Sequence, residues 1–252
     1  GHSNPRVLDA MRAQMEKSTF GCRLHFQTEA SEALAAKTAE LSAPGMDRVF
    51  FVNSGAEANE AALKIARKAT SRSEIVAFEH GFHGRTMGAL GATWKYREQH
   101  GPAHGETRFV PYGDLSAVEA ALGPDVAAVI VEPVQGIAGV VAPPPGFLSA
   151  LRRRCDATGA VLVCDEIQCG IGRMGVPLVS GSQGVRPDLV TVGKGLGGGF
   201  PVAALLLTEA MAATVKPGEH GTTFGGGPMA CAAVEATLDI LEQEALLDRA
   251  TH

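Results

Sequence analysis

The chain has 252 residues, 45% of them hydrophobic and 19% charged, with a formal net charge of −5. That composition supports one large core, or a large core with a small appendage. The acidic balance argues against general affinity for nucleic acid or anionic membrane, which needs a basic surface, and no run approaches the ~18–20 unbroken apolar residues that would span a bilayer. The opening residues Gly1-His2-Ser3-Asn4-Pro5 lack the basic, apolar and small-residue order of a signal peptide. Position 1 is not Met, which reads as a processed chain or a fragment. Five cysteines (Cys22, Cys155, Cys164, Cys169, Cys231) are odd in number and scattered, so no disulfide framework is predicted and a reducing, cytoplasmic setting is the default. Cys164 ends an apolar run and Cys231 lies in an Ala-rich stretch; both read as small core residues.

Helical patterns over 6–16 and 29–41, without a buried strand, mark residues 1–45 as an N-terminal helical lead-in. From 46 to 252, strand-like runs (48–52, 75–78, 127–131, 160–164, 189–192, 203–207) alternate with helical stretches (56–69, 115–122, 146–158, 228–242). Several runs are apolar on consecutive positions, as in strands buried on both faces, and the alternation predicts an α/β domain with a mostly parallel sheet. A Gly-rich turn with no room for a helix separates 189–192 from 203–207, so those two strands are expected to be antiparallel neighbours.

Three segments carry chemistry. In Val52-Asn53-Ser54-Gly55-Ala56-Glu57 a strand ends and a helix opens with Ser54 as N-cap. Free N–H groups there attract a phosphate and Gly55 allows close approach, although an ordinary capped turn has the same appearance. In Cys164-Asp165-Glu166-Ile167-Gln168 two acids and an amide follow a buried strand, at the end where open α/β sheets place ligands. A carboxylate there suits a protonated ring nitrogen, a loop cap or a metal-binding acid pair. In Gly193-Lys194-Gly195-Leu196-Gly197-Gly198 a lysine stands among glycines after a strand. A lysine held in a partly desolvated pocket can act as a Schiff-base nucleophile. Gly193, Gly195 and Gly198 also match G-x-G-x-x-G, but a dinucleotide loop must open a helix, and Pro201 and another strand follow; a phosphate-binding loop of the Walker type needs Ser or Thr where Gly195 stands.

The pairs His80/His83 and His100/His104 lack a third ligand on a helix, so no metal site is predicted. Phe82 reads as core or as a stacking partner for a planar ring, and Arg85 as a surface residue or a bidentate carboxylate clamp.

Taken together, these segments resemble the class III (ornithine/acetylornithine/4-aminobutyrate) aminotransferases of pyridoxal-phosphate fold type I. Gly1-His2-Ser3-Asn4-Pro5-Arg6-Val7 is similar to G-H-x-H-P-x-V, residues 51–60 to F-x-N-S-G-T-E-A-N-E, and residues 82–86 to an aromatic-H-G-R-T. Glu132-Pro133-Val134-Gln135-Gly136, Asp165-Glu166-Ile167-Gln168, Gly193-Lys194-Gly195 and Thr222-Thr223-Phe224-Gly225-Gly226 follow in family order. The resemblance implies the large domain of that fold over 46–252, an α/β unit of about seven strands with one antiparallel, and a fragment without the C-terminal small domain. It further implies pyridoxal 5′-phosphate bound to Lys194 as a Schiff base, with Asp165 at the ring nitrogen and Gln168 at the phenolic oxygen. Phe82 would stack on the ring, and Gly55 and Ala56 would hold the phosphate. Thr223 would reach the phosphate of the other subunit in a homodimer, and Arg85 and Thr222 would face the substrate.

The implied reaction is ping-pong transamination between an acetylornithine-like or related ω-amino or amino acid donor and a 2-oxo acid, 2-oxoglutarate foremost. An aminomutase, a decarboxylation-coupled transfer or a truncated cofactor-binding remnant would share the same residues. Ile137 stands where the family often has a Glu that pairs with an arginine, Ala56 where it has Thr, and Gly227 where it has Asn. The arginine that grips the substrate α-carboxylate belongs to the C-terminal domain.

Overall fold

The computed structural model describes residues 2–21, 29–41, 44–100 and 106–251. Seven strands, β1 (Arg48–Val52), β2 (Glu74–Phe78), β3 (Thr107–Val110), β4 (Val126–Val131), β5 (Val161–Asp165), β6 (Leu189–Val192) and β7 (Ala203–Leu207), form among the described residues one sheet in the order β1-β7-β6-β5-β4-β2-β3. β7 is antiparallel to both neighbours and the remaining pairs are parallel. All strands but β7 therefore run the same way.

The expected antiparallel pair is found, with Leu189 opposite Leu207 and Val192 opposite Ala204. The turn before β7 nonetheless contains one 3₁₀ turn, Lys194–Gly197, where no helix was expected. A single such turn rises only about 2 Å per residue and fits a short connection. β3 was not foreseen, because Thr107 and Arg108 are polar and the strand pairs only with β2 at the sheet edge.

The helices are α1 (Pro5–Lys17), α2 (Glu29–Ala39), α3 (Gly55–Thr70), α4 (Met87–Gly91), α5 (Leu115–Ala121), α6 (Phe147–Thr158), α7 (Val179–Ser182), α8 (Glu209–Ala212), α9 (Pro228–Gln243) and α10 (Leu246–Ala250). The long ones lie where apolar periodicity put them. The unforeseen α4, α7, α8 and α10 have four or five residues each, too few to display a 3.6-residue period.

Side-chain alternation sorts the sheet into two faces. Phe78, Val129, Leu162, Cys164, Val190 and Leu206 share a core with Val118 of α5, Leu148 and Leu151 of α6, and Val234 and Leu238 of α9. Ile75, Ala128, Ile130, Val163, Leu189 and Leu205 share the other with Ala61, Ala62, Ile65 and Ala66 of α3. Asp165 lies two residues beyond Val163, and Thr191 two beyond Leu189, so both side chains fall on the α3 face. Burial on both faces explains the unbroken apolar runs. Cys155, Cys164, Cys169 and Cys231 are buried, as expected of the second and fourth; Cys22 and His104 lie outside the described residues.

Leu162 is completely buried at the centre of the sheet. Leu162→Ala is expected to lower unfolding free energy by about 2–5 kcal/mol, measured by urea denaturation.

Candidate active site

The carboxyl ends of β1, β2, β4, β5 and β6 meet at one edge of the sheet, because those strands run in one direction. The connection leaving β2 leads outward to β3, while that leaving β4 leads back to β5, so the loops diverge there and leave a crevice. A cavity of about 330 Å³ opens at this edge. β1 and the start of α3 supply Gly55 and Ala56, and the loop after β2 supplies Phe82 and Arg85. β5 supplies Asp165 and Gln168, and the turn after β6 supplies Lys194. Seven residues singled out in the sequence thus converge on one cavity.

Asp165 is only 3% exposed, and its carboxylate is met from three sides. Oδ2 accepts from Asn59 Nδ2 at 2.8 Å and lies 2.7 Å from His83 Nδ1, while Oδ1 accepts from the Ile167 N–H at 3.1 Å. The neighbouring Glu166 points away from the cavity. Its carboxylate accepts from the N–H groups of Val179 and Ser180 and from the Ser180 hydroxyl, capping α7 from within the core.

At the α3 start Ser54 accepts from the Glu57 N–H at 3.3 Å, and Glu57 Oε2 reaches back to the Asn53 N–H at 2.7 Å. This reciprocal cap leaves the N–H groups of Gly55 and Ala56 without a partner among the described residues, at the positive end of a 16-residue helix. A methyl on Gly55 would come within 2.8 Å of the Ile167 side chain. Lys194 adopts a φ of +44°, rare for a residue with a side chain, and is exposed at the cavity without an ion pair or hydrogen bond among the described residues. Gln168 Oε1 is buried and likewise has no partner among them, and its side chain occupies the space a Cβ on Gly136 would need.

Arg85 is exposed at the rim, its guanidinium 4.6 Å from the centre of the Tyr96 ring; that ring also meets Phe82 edge-on. Ile137 lines the same cavity and is half exposed. Thr222 and Thr223 are not part of this cavity's lining. Thr222 Oγ1 accepts from Asn53 Nδ2 and the Gly225 N–H, both at 3.3 Å, and Thr223 is exposed. Sequence reasoning assigned no role to Asn59, His83, Glu132 or Ile167. Polar residues on the inward side of α3 and in the loop after β2 were the available signal, but their shared partner becomes visible only when α3 crosses the sheet.

Fold and site together define an α/β protein with a cavity at its strand ends, furnished with an amine, a buried carboxylate and a helix start whose first N–H groups are free among the described residues. Residues 1–252 match the family described as Aminotransferase class-III. The chain is 48% identical to the acetylornithine aminotransferase of Methanopyrus kandleri over 99% of its own length and 64% of the relative's, and 48% identical to that of Streptomyces coelicolor over 98% and 62%. Among solved structures it is similar to the ornithine aminotransferase of Toxoplasma gondii (TM-score 0.92, 36% identity, 99% of this chain and 61% of that one). It is also similar to an (S)-enantioselective omega-transaminase from Thermomicrobium roseum (TM-score 0.93, 33% identity, 98% and 63%). The chain belongs to the class III aminotransferase family, and it spans 64% or less of the length of these relatives. Among the described residues no helix is long and apolar enough to cross a membrane.

Burial works to lower the His83 pKa, but the hydrogen bond and charge of Asp165, helped by Glu132, outweigh it and hold the imidazole above its ordinary 6.5. Burial conversely pushes the Glu132 carboxyl up, although the N–H groups of Phe82 and Gly136 donate to it. A histidine pKa raised by folding contributes stability in full below the unfolded value of about 6.5 and loses it as pH rises through the folded value. The stability advantage of the wild type over His83→Gln is therefore expected to be full below about pH 6.5 and to shrink as pH rises above it in urea unfolding.

Proposed function

We propose that this chain is the cofactor-binding large domain, with a helical N-terminal lead-in over residues 1–45, of a pyridoxal-phosphate-dependent aminotransferase. The observation that carries this reading is an unpaired Lys194 on the same cavity as the buried Asp165, with the free N–H groups of Gly55 and Ala56 beside them. The donor set suits the cofactor group by group. Lys194 Nζ would hold the aldehyde carbon, Asp165 the ring nitrogen and the Gly55 and Ala56 N–H groups the phosphate, without a hydroxyl from Ala56. The orphaned Gln168 amide would meet the phenolic oxygen, and Phe82 would lie against the ring.

Pyridoxal phosphate, when bound, supplies an aldehyde for attachment to amines and a protonated ring that takes up electron density from the bond being broken. The chain's own part begins with Asp165, whose negative charge keeps a proton at the ring nitrogen. Lys194 Nζ, at the cavity without an ion pair among the described residues, would be the group that moves the proton leaving the donor's amino-bearing carbon. One cavity serves amino donor and 2-oxo acid in turn, which makes the kinetics ping-pong, with 2-oxoglutarate as acceptor. Relatives named acetylornithine aminotransferase support an acetylornithine-like or related ω-amino or amino acid donor. Arg85 at the rim would take a substrate carboxylate, while the apolar Ile137 contributes no charge there. Thr222 and Thr223 do not line the chain's own cavity; Thr222 would face the substrate, and Thr223 would reach the phosphate held by the other subunit of a homodimer.

In the full-length protein, borohydride reduction after loading with pyridoxal phosphate is expected to trap the cofactor on Lys194, located by peptide mass spectrometry. Lys194→Ala should lose both the trapped adduct and turnover with a panel of amino donors; wild-type turnover by that variant would sink the reading. Asp165→Asn should keep the cofactor but slow turnover by at least about a hundredfold.

A further inference from the structure

Asn59 and Thr191 are both completely buried and stand on different elements, α3 and β6, yet they meet at Asp165. The Thr191 hydroxyl donates to Asn59 Oδ1 at 2.9 Å. Asn59 Nδ2 then donates twice, to Asp165 Oδ2 at 2.8 Å and to the His83 carbonyl at 2.7 Å. Both N–H groups of the amide and one of the two lone pairs of its oxygen are used. Rotating it by half a turn would set its oxygen against two other acceptors and its NH2 beside the Thr191 hydroxyl, so the network admits one orientation.

The same accounting applies to the carboxylate. It has about four lone-pair positions. Asn59 and His83 occupy those of Oδ2, and the Ile167 N–H takes one on Oδ1. The remaining position on Oδ1 belongs to a residue lining the cavity. We propose that Asn59, oriented by Thr191, is a positioning residue: it pins Oδ2 of Asp165 so that Oδ1 is left to receive the ligand's cationic N–H. This rests on the pyridoxal-phosphate reading of the site. Asn59 touches neither cofactor nor substrate and acts through Asp165.

The test uses the full-length protein loaded with pyridoxal phosphate, with Thr191→Val, Thr191→Ser and Asn59→Ala compared with the wild type. Thr191→Val keeps the shape but removes the orienting O–H. Its kcat is expected to fall about tenfold, the loss of one buried hydrogen bond, while KM for the amino donor stays within about twofold. Thr191→Ser restores the hydroxyl and should recover kcat to within about threefold of the wild type. Asn59→Ala should lower kcat further, and the pH midpoint of the bound cofactor's visible absorbance should move in Asn59→Ala and Thr191→Val but not in Thr191→Ser. Loss of folding in Asn59→Ala is covered by the Thr191 pair, which alters a single oxygen or methyl. Unchanged kcat and unchanged absorbance midpoint in Thr191→Val, or equal losses in Thr191→Ser and Thr191→Val, would overturn the proposal. Borohydride trapping of the wild type on Lys194 separates the two levels. An untrapped wild type overturns the cofactor reading and this proposal with it, whereas a trapped wild type with an unaffected Thr191→Val overturns this proposal alone.

Discussion

A carboxylate at the end of a strand covered on both faces is largely withdrawn from water, and an isolated buried charge costs more free energy than any single packing contact returns. Asp165 is in that position, 3% exposed at the end of β5. The surrounding structure follows from satisfying it. α3 crosses the sheet so that Asn59 lies over the carboxylate, the loop after β2 turns His83 inward, and the chain after β5 folds back so that the Ile167 N–H points at Oδ1. The loop is in turn held by Thr93, whose hydroxyl accepts from the His83 N–H and donates toward the carbonyls of Gly84 and Ala89. A polar network of this kind is stable only when every member is satisfied, which gives the site one geometry.

The opposite wall is governed by backbone rather than charge. Lys194 sits with positive φ at the start of a 3₁₀ turn, between β6 and the reversing strand β7. Backbone conformations of this sort cost about 1–3 kcal/mol and persist where the surroundings impose them. Here β6 and β7 are paired along their length, and a Cβ on Gly193 would stand 3.3 Å from that of Ala203, leaving the turn little freedom. The lysine is therefore held at the cavity by the sheet and left without a competing ion pair among the described residues.

Of the departures from the family pattern, Ala56 and Ile137 line the cavity and Gly227 does not. Ala56 opens α3 as well as a threonine would, since its N–H is what the helix start presents. Gly227 precedes Pro228 at the start of α9 without a side-chain cap. Ile137 gives the cavity rim an apolar surface where the family resemblance implies a Glu.

Much of this was legible before any coordinates, because local signals carry it. Consecutive apolar residues in β4 to β7 announce strands buried twice over, Ser54 and Glu57 announce a capped helix start, and Gly193 to Pro201 announces a turn into another strand. β3 was hidden because an edge strand needs few apolar residues, and the shortest helices because a single turn has no period. The sequence by itself determined the fold class, the family and the identity of Lys194 and Asp165 as the residues to watch. Only the tertiary structure decided that Asn59, oriented by Thr191, and His83 converge on that carboxylate and that Thr222 bonds Asn53 rather than lining the chain's own cavity. Their partners lie 24 to 169 residues distant along the chain, and hydrogen bonds across such separations are set by how α3 packs on the sheet, not by any local pattern.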